Sequence, residues 1–97
     1  MSAADILAEI KQKMSDEADI DLREAYKALS SVVKTDVSSA SEVLETVKTG
    51  LQSQKNDGYS LSEAYKALSS VVKADGSLAP EVVETLGMAV QNADNRL

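Results

Sequence analysis

Apolar residues return along this chain at helical spacing, and the pattern occurs twice. Leu22, Ala25, Tyr26, Leu29, Val32 and Val33 fall at i, i+3, i+4, i+7, i+10 and i+11. That is one stripe of a 3.6-residue helix, with Arg23, Glu24, Lys27, Ser30, Ser31 and Lys34 opposite it. Leu61, Ala64, Tyr65, Leu68, Val71 and Val72 repeat the stripe 39 residues on. More than the pattern recurs. Residues 24–34 and 63–73 both read EAYKALSSVVK, identical at eleven of eleven positions, polar ones included. Self-similarity at a fixed period tells how a chain is built before it tells anything else.

A second kind of helix follows each of these. Ala40, Val43, Leu44, Val47 and Leu51 align with Ala79, Val82, Val83, Leu86 and Val90, so the two copies span about 22–52 and 61–91. Ala3, Ile6, Leu7, Ile10 and Met14 show the same spacing, and ILAEIKQKM aligns with VLETVKTGL, which places Lys11 on Lys48. Residues 3–15 therefore read as an N-terminal half-repeat. With the identical helices named A and the others B, the chain is a B-A-B-A-B series at roughly 3–15, 21–35, 39–53, 60–74 and 78–93. Asp21-Leu22-Arg23-Glu24, Ser39-Ala40-Ser41-Glu42 and Ser60-Leu61-Ser62-Glu63 read as capping boxes, with Ile20 and Tyr59 placed as hydrophobic staples. Asp36 and Asp75-Gly76 mark stops, and Pro80 stands in a first turn, where a helix accepts it. No segment alternates with period two, so no strand is expected.

The expectation is an all-α single domain over residues 1–97 with an internal 39-residue duplication. Two packings suit it: a short stack of αα-hairpins, or a compact five-helix bundle. Two and a half repeats barely make a stack, which favours the bundle.

Composition then narrows the chemistry. There is no Phe and no Trp, only Tyr26, Tyr59 and Tyr65, so Ala, Val, Leu and Ile must form the core. Tyr26 and Tyr65 lie at the stripe's edge, where a core ring with a wet hydroxyl is expected. The chain has no cysteine and no histidine. Their absence removes the thiol nucleophile, the thiolate metal site, the commonest general base and the commonest transition-metal ligand. Glu42/Glu45 and Glu81/Glu84 pair carboxylates early in the B helices, but nothing in the sequence supplies the pocket that acid–base work needs. A calcium loop fails as well. With Gly58 at the sixth position, Lys55 takes a ligand place and Ala64 the last; with Gly76 there, Val71 and Val82 end the loop. No enzyme, cofactor or metal site is therefore expected. The N-terminal stretch carries acids within its apolar pattern and no apolar run, so no signal peptide or membrane span is read, and a cytoplasmic location is expected.

Charge is uneven. Net charge is −6, and residues 1–21 hold six acids against two bases, leaving ten acids and eight bases for the rest. A net negative chain binds nucleic acid and anionic lipid poorly. Two surfaces remain as candidates. The repeated polar face, Lys27, Ser31 and Lys34 with Lys66, Ser70 and Lys73, offers a place for a protein partner, with Glu24 and Glu63 placed to pair with lysines three residues on. In the last helix Gly87 and Met88 replace Lys48 and Thr49, which makes that face smaller and less polar and suggests self-association into a homo-oligomer. The function expected is a non-enzymatic interaction or structural module. The alternative is an acidic inhibitor that mimics nucleic acid, for which only residues 16–21 are dense enough in carboxylates.

Overall fold

The computed structural model describes residues 2–15, 20–53 and 55–94. Its helices are α1 (Ala3–Ser15), α2 (Leu22–Thr35), α3 (Ala40–Ser53), α4 (Gly58–Ala74) and α5 (Ala79–Asp94), with no strand among the described residues. Two 3₁₀ turns, Val37–Ser39 and Gly76–Leu78, join α2 to α3 and α4 to α5.

One aspartate makes each of these corners. Asp36 has extended backbone angles and its N–H donates to the Val32 carbonyl, which ends α2. Its carboxylate then accepts from the Ser38 N–H at 3.1 Å and the Ser38 hydroxyl at 2.6 Å, which starts the 3₁₀ turn. Asp75 ends α4 through Val71 and holds Ser77 in the same way, at 3.0 and 2.6 Å. Short acceptor side chains satisfy orphan backbone donors in this manner at helix ends. The corner therefore belongs to the repeat.

Two of the expected start signals are read differently by the fold. The Ser39 hydroxyl donates back to the Asp36 carbonyl at 2.7 Å, so α3 begins out of the 3₁₀ turn and not from a Ser39 capping box. Helix α4 begins three residues earlier than the capping pattern suggests, because Asp57 accepts from the Ser60 N–H at 2.7 Å and takes the cap position. Ser60 becomes a buried residue of the first turn, and Tyr59 lies exposed beneath the Arg23 guanidinium instead of forming a staple. Asp21 does cap α2, accepting from the Glu24 N–H at 3.2 Å.

Each helix packs chiefly on those one and two places along the chain: α1 on α2 and α3, α2 on α3 and α4, α3 on α4 and α5, α4 on α5. This neighbour set describes a compact two-layer bundle, with α1, α3 and α5 in one layer and α2 and α4 in the other. The short axis of 18 Å is the depth of two helices of about 10 Å each. Within the layers the contacts repeat. Lys11 reaches Glu42 at 3.3 Å and its counterpart Lys48 reaches Glu81 at 3.7 Å, so α1 stacks on α3 as α3 stacks on α5. The two A helices run parallel, with Arg23 over the Tyr59 ring near one end and Ser30 bonded to Ser70 further along.

The core lies between the layers, where Leu29, Val33, Val43, Leu44, Val47, Leu68 and Val71 are fully buried. Each such side chain contributes about 1.5–3 kcal/mol through removal from water. Identical sequence does not mean identical burial. In α2 the buried set includes Tyr26, Ser30 and Val33; in α4 it includes Ala67 and Ser70, while Tyr65 and Ser69 turn outward. The buried face is rotated by roughly 100° between the two helices, one residue's arc on the wheel. Parallel helices side by side must show each other opposite flanks.

Candidate functional site

That rotation opens a groove of about 470 Å³ between α2 and α4. Lys27, Ser31 and Lys34 line it from α2, and Lys66, Ser70 and Lys73 from α4. All six residues singled out from the repeated polar face thus meet in one place. Their roles differ. Ser70 is buried in the floor, where its hydroxyl donates to the Lys66 carbonyl at 3.1 Å, leaving Ser30 to donate to Ser70 at 3.0 Å. Ser31 stays exposed. Ser30 and Ser69 also line the groove. Sequence alone does not tell which serine of each Ser-Ser pair turns inward, because that depends on which flank meets the neighbouring helix.

The groove is basic in a chain of net charge −6. Among the described residues Glu63 is the one acid lining it, held at 3.3 Å by Lys66 with its side chain only 13% exposed. Lys27 pairs loosely with Glu24 at 3.8 Å. Lys34 and Lys73 make no ion pair among the described residues, and both stand in the last turn of their helices. There they offset the negative end of the helix dipole.

A second polar cluster is structural. The Tyr26 ring is fully buried, and its hydroxyl donates to the Asn56 side-chain carbonyl at 2.8 Å while the Asn56 amide donates to the Gly50 carbonyl at 3.0 Å. This corrects the expectation of a wet hydroxyl at Tyr26; Tyr65, 36% exposed, comes closer to it. Burial pushes the Tyr26 phenol well above its ordinary pKa. The ring fits only because residue 50 is glycine. A Cβ there would stand 2.6 Å from the Tyr26 hydroxyl and 3.2 Å from both the ring and the Met14 methyl. In the second copy the ring has swung outward and Ala89 fills the equivalent place, fully buried. The Gly50/Ala89 difference follows from the tyrosine. Asn56 and Asp57, which precede Gly58 in the rejected calcium loop, are a core hydrogen-bonding residue and a helix cap. Among the described residues no group of three carboxylates is placed to hold a metal ion.

In α5 the aligned stripe is only partly used. Val82, Thr85 and Ala89 are buried, Ala79 and Leu86 are half-buried, and Val83 and Val90 are 67% and 53% exposed. Gly87 is exposed with nothing within 4 Å of a Cβ placed on it, and Met88 is half-buried. Helical spacing puts Gly87 beside Val83 and Val90 and sets Met88 apart from them. Residues 16–19, most of the acidic run behind the nucleic-acid mimic, lie outside the described residues. Among the described residues no helix is long and apolar enough to cross a membrane. No protein-family model, curated protein or solved structure matches the chain.

Proposed function

We propose that this chain is a non-enzymatic interaction module that holds an acidic helix of a protein partner along the α2/α4 groove. The observation that carries this reading is the gathering of Lys27, Lys34, Lys66 and Lys73 on the two walls of one open groove. On each helix the two lysines are seven residues apart, which is two turns or about 10.5 Å along the axis. Carboxylates at i and i+7 of a partner helix recur at the same interval. Among the described residues lining the groove there is no aromatic side chain on which a base would stack and no arginine fork to grip a phosphate, so carboxylates suit it better than nucleic acid. The lysines set orientation and encounter rate, and burial of apolar flank on the partner supplies most of the affinity.

Fluorescence anisotropy tests this with a labelled amphipathic peptide carrying glutamates seven residues apart. Lys34 and Lys73 are exposed and make no ion pair among the described residues, so Lys34→Glu with Lys73→Glu removes no packing and changes only the charge at two helix ends, a cost of about 1 kcal/mol at each that circular dichroism of the variant checks. The double variant is expected to weaken binding by about tenfold or more, and raising salt from about 50 to 300 mM to weaken it in the parent. Equal affinity in parent and variant would rule out the groove as the binding surface.

A further inference from the structure

Tyr26, Ser30 and Val33 of α2 and Leu44, Val47 and Leu51 of α3 are all buried. Helix α4 packs on both α2 and α3, Ser30 bonds to Ser70 within it, and Tyr26 bonds to Asn56 just before it. Helix α5 in turn packs on α3. The six residues together form the seat of α4 and α5. Their counterparts 39 positions on are Tyr65, Ser69 and Val72 of α4 and Val83, Leu86 and Val90 of α5. Not one of these is buried. Tyr65, Ser69, Val83 and Val90 are exposed, and Val72 and Leu86 are half-buried. The positions on the other flank, Leu68, Val71, Val82 and Thr85, are as buried as their counterparts. The array therefore ends on a second helix seat, built like the first and facing water.

We infer that this seat takes α2 of a second copy of the chain. The helix that fills the first seat is α4, and α2 repeats its residues 63–73 without a change. The flank that α4 turns into the seat carries Ala67 and Ser70, both buried. On α2 the same flank carries Ala28, half-buried, and Ser31, exposed, beside an apolar cleft of about 350 Å³ shared with Ala3 and Ile6 of α1. One end of the molecule thus lacks a helix that the other end displays. This accounts for identity at polar positions in the repeat: the flank exposed in one helix is the flank buried in the other.

Helix α1 is what the incoming copy must give up. It stacks on α3 through Lys11–Glu42 as α3 stacks on α5 through Lys48–Glu81, so α5 of the first copy takes over the place of α1 in the second. Gly87 lies at the open side of this seat, where α3 carries Lys48, and nothing among the described residues requires a glycine there. The contact is head-to-tail, and each added copy presents the same seat again, so the assembly does not close at two.

Light scattering on a size-exclusion column tests it, over a concentration series reaching the millimolar range. The parent mass is expected to rise past that of a dimer without a plateau. Val83→Lys with Val90→Lys is expected to hold the mass at that of one chain, with helicity by circular dichroism unchanged because both side chains are already exposed. Val37→Lys, which adds the same charge at an exposed residue outside the six seat positions, is expected to behave as the parent. A parent that stays monomeric throughout, a mass that stops at two, or association that survives the double variant would each overturn the inference.

Discussion

A Cβ on residue 50 would meet the Tyr26 hydroxyl at 2.6 Å, with the ring and the Met14 methyl each at 3.2 Å. None of these neighbours is free to move. The hydroxyl is tied to Asn56, which is tied in turn to the Gly50 carbonyl, and the ring and Met14 are fully or almost fully buried. Gly50→Ala is therefore expected to destabilise by about 1–3 kcal/mol, even though alanine is by itself the better helix former by about 1 kcal/mol. The reciprocal change, Ala89→Gly, has no ring to accommodate and should cost only the propensity difference plus a lost methyl contact. Urea unfolding of the two variants checks the pair. A Gly50→Ala protein as stable as the parent would mean that Tyr26 can leave its site without loss. The same close approach explains why one of two equivalent helices carries glycine at this point and the other does not.

At the scale of elements, the five helices were legible in the sequence to within two residues, because strong apolar periodicity and aspartate stops both survive folding. Helix starts were less legible. Ser39 and Ser60 have the residue types of N-caps, yet Asp36 caps the 3₁₀ turn ahead of α3 and Asp57 caps α4, their carboxylates accepting from the Ser38 and Ser60 N–H groups, earlier in the chain than the donors a serine cap would take. The six groove residues were legible because both copies keep them. Their grouping was not, because nothing in one helix's sequence says which flank its parallel twin will cover. The Asp36 and Asp75 corners give the element scale its test. Each carboxylate accepts two hydrogen bonds from a single serine, and each backbone N–H closes the preceding helix. Asp36→Ala and Asp75→Ala are each expected to cost about 1 kcal/mol, and the double variant close to the sum, because the sites are separate. Denaturant midpoints of the three proteins measure this. A cost at one corner only would show that the repeated corner is not equally used.

At the scale of the whole molecule, the end helices are held by fewer neighbours than the middle ones, and α1 rests chiefly on α2 and α3. Helices α2, α3 and α4 each pack on neighbours on both sides, whereas α5 rests on α3 and α4 alone and leaves Val83 and Val90 in water. Local opening is easiest where few apolar contacts hold an element down. In dilute protein the amides of α5 are thus expected to exchange at least about tenfold faster than those of α2 and α4, through an opening that leaves the rest of the bundle folded. Head-to-tail association makes a stronger demand. As concentration rises, α5 should gain protection because a second copy now covers it, and α1 should lose protection because α5 of its neighbour has taken its place on α3. Hydrogen exchange by mass spectrometry at two concentrations separates the possibilities. Opposite changes at the two ends are the signature of helix exchange, since simple docking protects both surfaces and exposes neither. Parallel protection of α1 and α5 would mean that copies meet without exchange, and equal exchange across α2, α4 and α5 in dilute protein would mean that the open seat carries no cost.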